Sequence, residues 1–374
     1  MRYVVGIDIG STRVSAAICR RAGASWAEPQ VVCLADSVLH VAADTTVHIG
    51  LDSAGVTAEP HRVAHGFLRR VGDDVPLLLG DELYAPEALA AAAAGWVVDQ
   101  VAEIEGEEPE RIALTHPPGW GPYRRGLLHG ALHDAGMPGV LLLPSPVAAG
   151  ESHLVRERVE TGTIMAVCRL GGEHVDTAVL RRGPAAFEMV AFGEPAEPFA
   201  GAAIDDVLAD HVGAGVDRAV CVRAKEMLST APEVTIPMGK ELKRVTRAEF
   251  ERLIRPLLAA SLAQLRRYDP VPTVLLAGGT ARIPLAAELA TEAQDCRVVV
   301  DPDPETAVCR GAALAARPPA PAPPESTALV PRVQALPELD VDEVYDAEPA
   351  PPRPPVVLTP LEPPKRRFVK GGRR

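Results

Sequence analysis

Asp8, Gly10, Ser11 and Thr12 stand together at the end of an apolar N-terminal run, Tyr3–Ile9. A carboxylate followed by a glycine turn with two hydroxyls suits phosphate chemistry. The turn offers amide N–H groups and hydroxyls to anionic oxygens, and Asp8 can hold Mg²⁺ through waters. A second copy, altered, begins at Ala166: Val167-Cys168-Arg169-Leu170-Gly171-Gly172-Glu173-His174. Each copy runs on through an apolar segment to paired arginines, Arg20-Arg21 and Arg181-Arg182. In the second copy Arg169 replaces the acid. A third glycine turn, Gly278-Gly279-Thr280-Ala281-Arg282, follows the apolar run Val274–Ala277. Paired glycines admit a flat ligand close to the backbone, and Arg282 can lie against a purine, so this turn reads as the nucleoside end of the same site. No G-x-G-x-x-G leads into a helix, so the site is not a dinucleotide fingerprint.

Hairpins must carry the first two turns: strand, tight glycine turn, strand. Two of them, one per half, imply two similar lobes gripping one polyphosphate. The apolar runs predict strands at 3–9, 14–19, 111–115, 139–143, 163–170, 176–180, 187–192, 274–277 and 297–300. Helical periodicity predicts helices at 86–104, 123–135, 204–212, 216–228 and 247–267. The last opens on a capping box, Thr246 with Glu249, and contains Pro256, which is expected to kink it. Alternating strands and helices predict α/β layers.

A chain of 374 residues suffices for two packed cores and a tail. The net charge of −12 argues against general nucleic-acid binding by the core. Six scattered cysteines without metal-type spacing, no apolar run of membrane-spanning length and no leader pattern lead to the expectation of a cytoplasmic protein with small buried thiols. The organisation expected is a first lobe over 1–160, a second over 161–316 and a disordered proline-rich tail over 317–374. Within the tail, an acidic island spans Glu338 to Glu348, and the basic tip is suited to an acidic surface. His129 and His133, one turn apart, lack further ligands and read as surface residues.

Several motifs in one order carry a resemblance: Gly6-Ile-Asp8-Ile-Gly-Ser-Thr12, Thr115-His-Pro117-Pro-Gly-Trp120 with Arg125, Leu143-Pro144-Ser145-Pro146, Cys221-Val-Arg-Ala-Lys225-Glu-Met-Leu-Ser229, Leu276-Ala-Gly278-Gly279-Thr-Ala-Arg282, and Pro304-Glu-Thr-Ala-Val308. From about residue 3 to 316 the chain resembles the DnaK-type chaperones of the heat-shock protein 70 family. They belong to the actin, sugar-kinase and heat-shock ATPase superfamily. The resemblance implies an actin-like ATPase fold with two lobes, each on an RNase H-like mixed sheet, and the last helix returning to the first lobe. It also implies ATP or ADP in the cleft, Mg²⁺ between the lobes and a protein partner. Carried over by motif, Asp8 and Asp176 take catalytic positions, with Asp8 on the metal through water. Gly10, Ser11, Thr12, Arg169, Gly171, Gly172, Gly201, Lys225, Ser229, Gly278, Gly279 and Arg282 take nucleotide-binding ones.

Departures gather at the catalytic machinery. Arg169 stands where the family has Asp, Ser145 where it has Glu, and Val222 and Glu226 where it has Glu and Arg beside the adenine. Its catalytic lysine falls on Leu68, with Arg69 or Arg70 as substitutes one or two residues on. The family's peptide-binding domain is expected to be missing, since only the proline-rich tail follows. Two expectations for Arg169 stay open: it replaces part of the charge of Mg²⁺ or of the lysine, or it points to solvent from a decayed loop. The function expected is a nucleotide-binding, chaperone-like protein with weak or no hydrolysis, acting through nucleotide-dependent partner binding. The alternatives are an active slow ATPase or co-chaperone, and a small-molecule kinase of the same superfamily.

Overall fold

Two mixed sheets share one strand order, and each has a glycine hairpin at its centre. The computed structural model describes residues 2–50, 59–195, 199–213, 215–239 and 241–318. The expected tail therefore lies outside the described residues beyond Pro318. In the first sheet β1 (Tyr3–Ile9) runs antiparallel to β2 (Arg13–Ala22), which also pairs β3 (Ser25–Trp26) and β4 (Gln30–Asp36). On its other side β1 runs parallel to β5 (Arg111–His116), and β5 parallel to β6 (Leu141–Pro144). In the second sheet β7 (Ile164–Leu170) pairs antiparallel with β8 (Val175–Arg182), and β8 with β9 (Phe187–Gly193). Beyond β7 come β10 (Thr273–Ala277) and β11 (Arg297–Val300), both parallel. The fold is mixed α/β, as the alternating pattern predicts.

Both central strands are apolar on both faces because helices cover both. Along β1, Tyr3, Val5, Ile7 and Ile9 enter a core shared with α1 (Pro86–Glu105), while Val4 enters a second core. Along β7 the alternation repeats: Ala166, Cys168 and Leu170 face one core, Met165 and Val167 another. The core reached by Val4 and Val167 is common to both sheets. It is built round α3 (Ser145–His153) and α8 (Ala307–Ala316). These two helices cross with no room to spare, since a Cβ on Gly311 would lie 1.6 Å from the Ala148 carbonyl oxygen. A Cβ on Gly6 would meet the backbone of Ala313 at 2.0 Å, so α8 lies directly on β1.

The remaining helices are α2 (Pro122–Asp134), α4 (Gly201–Val212), α5 (Arg218–Leu228), α6 (Arg247–Leu262) and α7 (Pro284–Ala293). The capping box of α6 forms as expected, with Thr246 accepting from the Glu249 amide and Glu249 accepting from that of Thr246. The helix carries Pro256 inside its span and ends five residues before the predicted limit, where a 3₁₀ turn takes over Ala263–Arg267. The helices α3, α7 and α8 and the hairpin Glu233–Met238/Glu241–Thr246 were not predicted. α3 is buried almost all round, so it shows no amphipathic period. Among the described residues no helix is long and apolar enough to cross a membrane.

Candidate functional site

The turns after β1 and β7 and the ends of parallel strands β5 and β10 open onto one cavity of about 710 Å³. Within each turn the leading glycine amide closes the hairpin: Gly10 donates to Arg13 O at 2.8 Å, and Gly171 to His174 O at 2.9 Å. The two tips touch. The Glu173 amide donates to Ser11 Oγ at 3.2 Å, and a Cβ on Gly172 would fall 2.2 Å from Thr12 Cγ2. The second tip is also held from below, where the first amides of α4, Gly201 and Ala202, donate to the carbonyls of Gly171 and Gly172 at 3.1 and 2.6 Å. Thr280 Oγ1 donates to the same Gly171 carbonyl at 2.9 Å. Gly278, at φ +86°, lies so close to Leu170 that a Cβ would stand 2.3 Å from its carbonyl oxygen. Sequence-distant turns are thus joined by their backbones.

At the floor lies a network of charge. The Arg169 side chain is only 14% exposed, and it places Nη2 3.2 Å from Asp8 Oδ2 and Nη1 3.3 Å from Asp176 Oδ2. Arg69, from the short turn Phe67–Arg70, reaches Asp176 Oδ1 at 2.8 Å and Glu194 Oε1 at 3.2 Å. Thr115 Oγ1 donates to Asp8 Oδ1 at 2.5 Å. Burial opposes ionisation of Asp176, but Arg169 and Arg69 outweigh it and hold the carboxyl below the usual range. Burial likewise works against the charge on Arg169, and Asp8 and Asp176 overcome it. His174 is neutral: burial first, then Arg69, depress it to about 4.

The solvent-facing expectation for Arg169 is overturned, because two buried carboxylates draw it inward. Of the three residues weighed for the family's lysine, Leu68 packs in the first core at the cavity's edge and Arg69 reaches Asp176. Arg70 turns away to Asp73 and Val75. The residues at the floor do not fit Mg²⁺, whose octahedral shell needs oxygen ligands, because a guanidinium stands between Asp8 and Asp176. Among the described residues no group of three His, Cys, Asp or Glu is arranged for a metal.

Of the residues expected at the site, Asp8, Gly10, Ser11, Thr12, Arg169, Gly171, Gly172, Gly201, Lys225, Ser229, Gly278, Gly279 and Arg282 all line the cavity. Asp176 does not; it is fully buried and bonded to Arg169 and Arg69. On the far wall Lys225 Nζ pairs with Asp205 at 2.9 Å and donates to Gly201 O at 3.2 Å, and Ser229 Oγ donates to Lys225 O. Arg282 is anchored by Asp303 at 2.5 Å, with Glu305 at 3.8 Å. Arg125 is exposed on α2, away from the lining.

Thr115 has no role in the sequence reading beyond opening a motif, and Asp205 has no place in it. Thr115 was traceable in principle, because β1 and β5 pair in parallel with Ile7 opposite Leu114, which sets it beside Asp8. Asp205 gave no signal apart from its place one turn into α4.

No family model matches the chain. It is 26% identical over 360 residues to the Chaperone protein HscA homolog of Azotobacter vinelandii (strain DJ), which covers 84% of this chain and 58% of that protein. The corresponding protein of Aeromonas hydrophila is 27% identical over 358 residues, with the same coverage. Chaperone protein HscA of an Escherichia coli strain is 26% identical over 359 residues, again 84% and 58%. The chain thus spans somewhat over half the length of these curated relatives. With the glycine turns of both sheets converging on one cavity, it is a protein similar to the HscA chaperones of the heat-shock protein 70 family and like their nucleotide-binding domain.

Proposed function

We propose that this chain is a chaperone-like protein of actin-like architecture that binds ATP or ADP in its central cleft. Hydrolysis is weak or lacking, and the output is nucleotide-dependent binding of a protein partner. The observation that carries the reading is the guanidinium of Arg169 between Asp8 and Asp176, at the meeting point of both hairpin tips. Phosphoryl transfer depends on positioning and on charge supplied to the phosphates, usually by metal ions held on carboxylates. Here Arg169 and Arg69 supply fixed positive charge in a planar geometry that matches phosphate oxygens. Their present partners are carboxylates, so an incoming polyphosphate competes with Asp8 and Asp176 for the same N–H groups. The purine lies against Arg282 and the Gly278-Gly279 backbone, near Lys225 and Ser229.

Calorimetric titration with ATP, with and without Mg²⁺, tests this. Binding of comparable strength in both, with little phosphate released, is the expected result. A strong requirement for Mg²⁺, brisk hydrolysis or no binding in either condition overturns it.

A further inference from the structure

We infer that His174 is a phosphoryl acceptor: one of its ring nitrogens attacks the terminal phosphorus of a nucleoside triphosphate in the cleft and becomes phosphorylated. This rests on the nucleotide reading above. His174 belongs to the second glycine turn and lines the cavity. Strand pairing fixes which way it faces. Arg169 lies opposite Asp176 and Leu170 opposite Val175, and the Gly171 amide donates to the His174 carbonyl at 2.9 Å as one further rung. Opposed residues of an antiparallel pair share a face, and so do residues two apart on one strand. His174 therefore lies on the face of Arg169 and Asp176, about 6.7 Å along the strand from Asp176. Opposite it stands Gly171, which has no side chain to fill the space.

Two guanidiniums border this face. Arg169 bridges Asp8 and Asp176, and its Nη2 lies 3.5 Å from the place of a Cβ on Gly10 in the first turn. Arg69 reaches Asp176 at 2.8 Å. Glu173, next to His174, ties the second tip to Ser11 of the first. A terminal phosphate held by these arginines and by the amides of the first turn thus stands beside His174. Among the described residues neither ring nitrogen of His174 meets a partner, and neither is sealed from solvent. In His116, also on the cavity wall, Nε2 is sealed. Burial, and then Arg69, keep the His174 imidazole neutral, so one nitrogen carries a proton and the other a bare lone pair. Ser11 and Thr12 line the same cleft, but a hydroxyl must first give its proton to a base, and a neutral imidazole need not.

In the step itself, the lone pair forms a bond to the terminal phosphorus while the bond from phosphorus to the bridging oxygen breaks. The electron pair of that bond leaves with the nucleoside diphosphate. The proton on the other ring nitrogen passes to solvent, so the ring carries no extra charge afterwards. Arg169 and Arg69 meet the charge on the transferring oxygens. Each chain accepts one phosphoryl group, so nucleotide is consumed without sustained release of phosphate.

The experiment incubates the full chain with ATP labelled in its terminal phosphate and follows label on the protein, ATP affinity and thermal melting. Wild type should take up label to a limit of one phosphoryl group per chain. The label should be lost in acid and kept in alkali, as a phosphorus–nitrogen bond requires; an ester on Ser11 or Thr12 would survive acid. His174→Gln should take up no label above background. Its ATP affinity should change by less than about 10-fold, since the arginines and the first turn still hold the phosphates. Fragmentation of labelled wild type should place the group on His174, a result that does not depend on how the variant folds. The inference is overturned if wild type binds ATP without taking label, if the label survives acid, or if His174→Gln is labelled equally. If wild type does not bind ATP, the nucleotide reading falls as well, and the affinity arm identifies that case.

Discussion

Arg169 and Asp8 come from opposite sheets, 161 positions apart, and meet through Nη2 and Oδ2 at 3.2 Å. Each holds the same place in its own hairpin, the next-to-last residue of the strand that leads into the glycine turn. The structure thus opposes the two copies of one motif, and the difference between them makes an ion pair across the cleft. Removing one partner of a buried pair costs more than the pair itself is worth, because the other charge is left behind.

Restoring the acid should therefore change the ion the floor accepts. In an Arg169→Asp variant, Asp8, residue 169 and Asp176 face one another without the guanidinium. Thermal melting is expected to show a loss of about 3–5 kcal/mol without metal, the range for breaking a buried pair. Mg²⁺ in the millimolar range should recover part of it, while wild type stays insensitive. Equal melting curves for the variant with and without Mg²⁺ would show that the remaining carboxylates form no cation site.

Gly172→Ala tests whether the hairpin tips need their contact. The added methyl would sit 2.2 Å from Thr12 Cγ2, so the tips must separate and the Glu173 amide must leave Ser11 Oγ. ATP affinity should fall about 10-fold or more, corresponding to at least about 1.4 kcal/mol. A Thr12→Ala change in the same protein should restore part of it, a coupling expected of residues in contact. Strictly additive losses would contradict a steric cause.

The α3–α8 crossing makes a stability prediction free of the site chemistry. In Gly311→Ala the methyl meets a backbone carbonyl, which has no rotamer to escape into. Urea unfolding should show a loss at or above the usual overpacking cost of about 1–3 kcal/mol. Gly126→Ala, inside α2 where a Cβ meets nothing within 4 Å, is the matched control and should stay at or slightly above wild-type stability.

Acid should weaken the fold in two stages. His174 titrates near 6.5 when unfolded and about 4 when folded, so between these values the unfolded chain binds a proton that the folded chain refuses. Stability should thus be full above pH 6.5 and fall as pH drops toward 4. Burial depresses His116 and His153 in the same direction, so His174→Gln should make the slope shallower without abolishing it. Asp176, held below the usual carboxylate range by Arg169 and Arg69, adds a second loss as pH falls further and the carboxylate is protonated. Urea midpoints measured from pH 8 to pH 3 check both stages. A wild-type slope unchanged by His174→Gln would contradict the assignment.

The local elements were legible because their cause is local. Apolar runs ending in glycine gave β1, β2, β7, β8 and β10 to within a few residues, and Thr246 with Glu249 announced the start of α6. The three glycine turns pointed to one shared site, and all three line one cavity, since backbone reach and φ freedom are properties of the residue type. The buried helix α3 stayed hidden, because a helix covered on all sides carries no period in its sequence. Sequence likewise left Arg169 with two fates, inward or outward, and left the lysine position spread over Leu68, Arg69 and Arg70. Only the packing of the two sheets on a common core settled the direction of Arg169, by bringing Asp8 and Asp176 within its reach, and it turned Arg69, not Arg70, toward Asp176. Charge pairing between residues more than a hundred positions apart is set by that packing, and no local pattern encodes it.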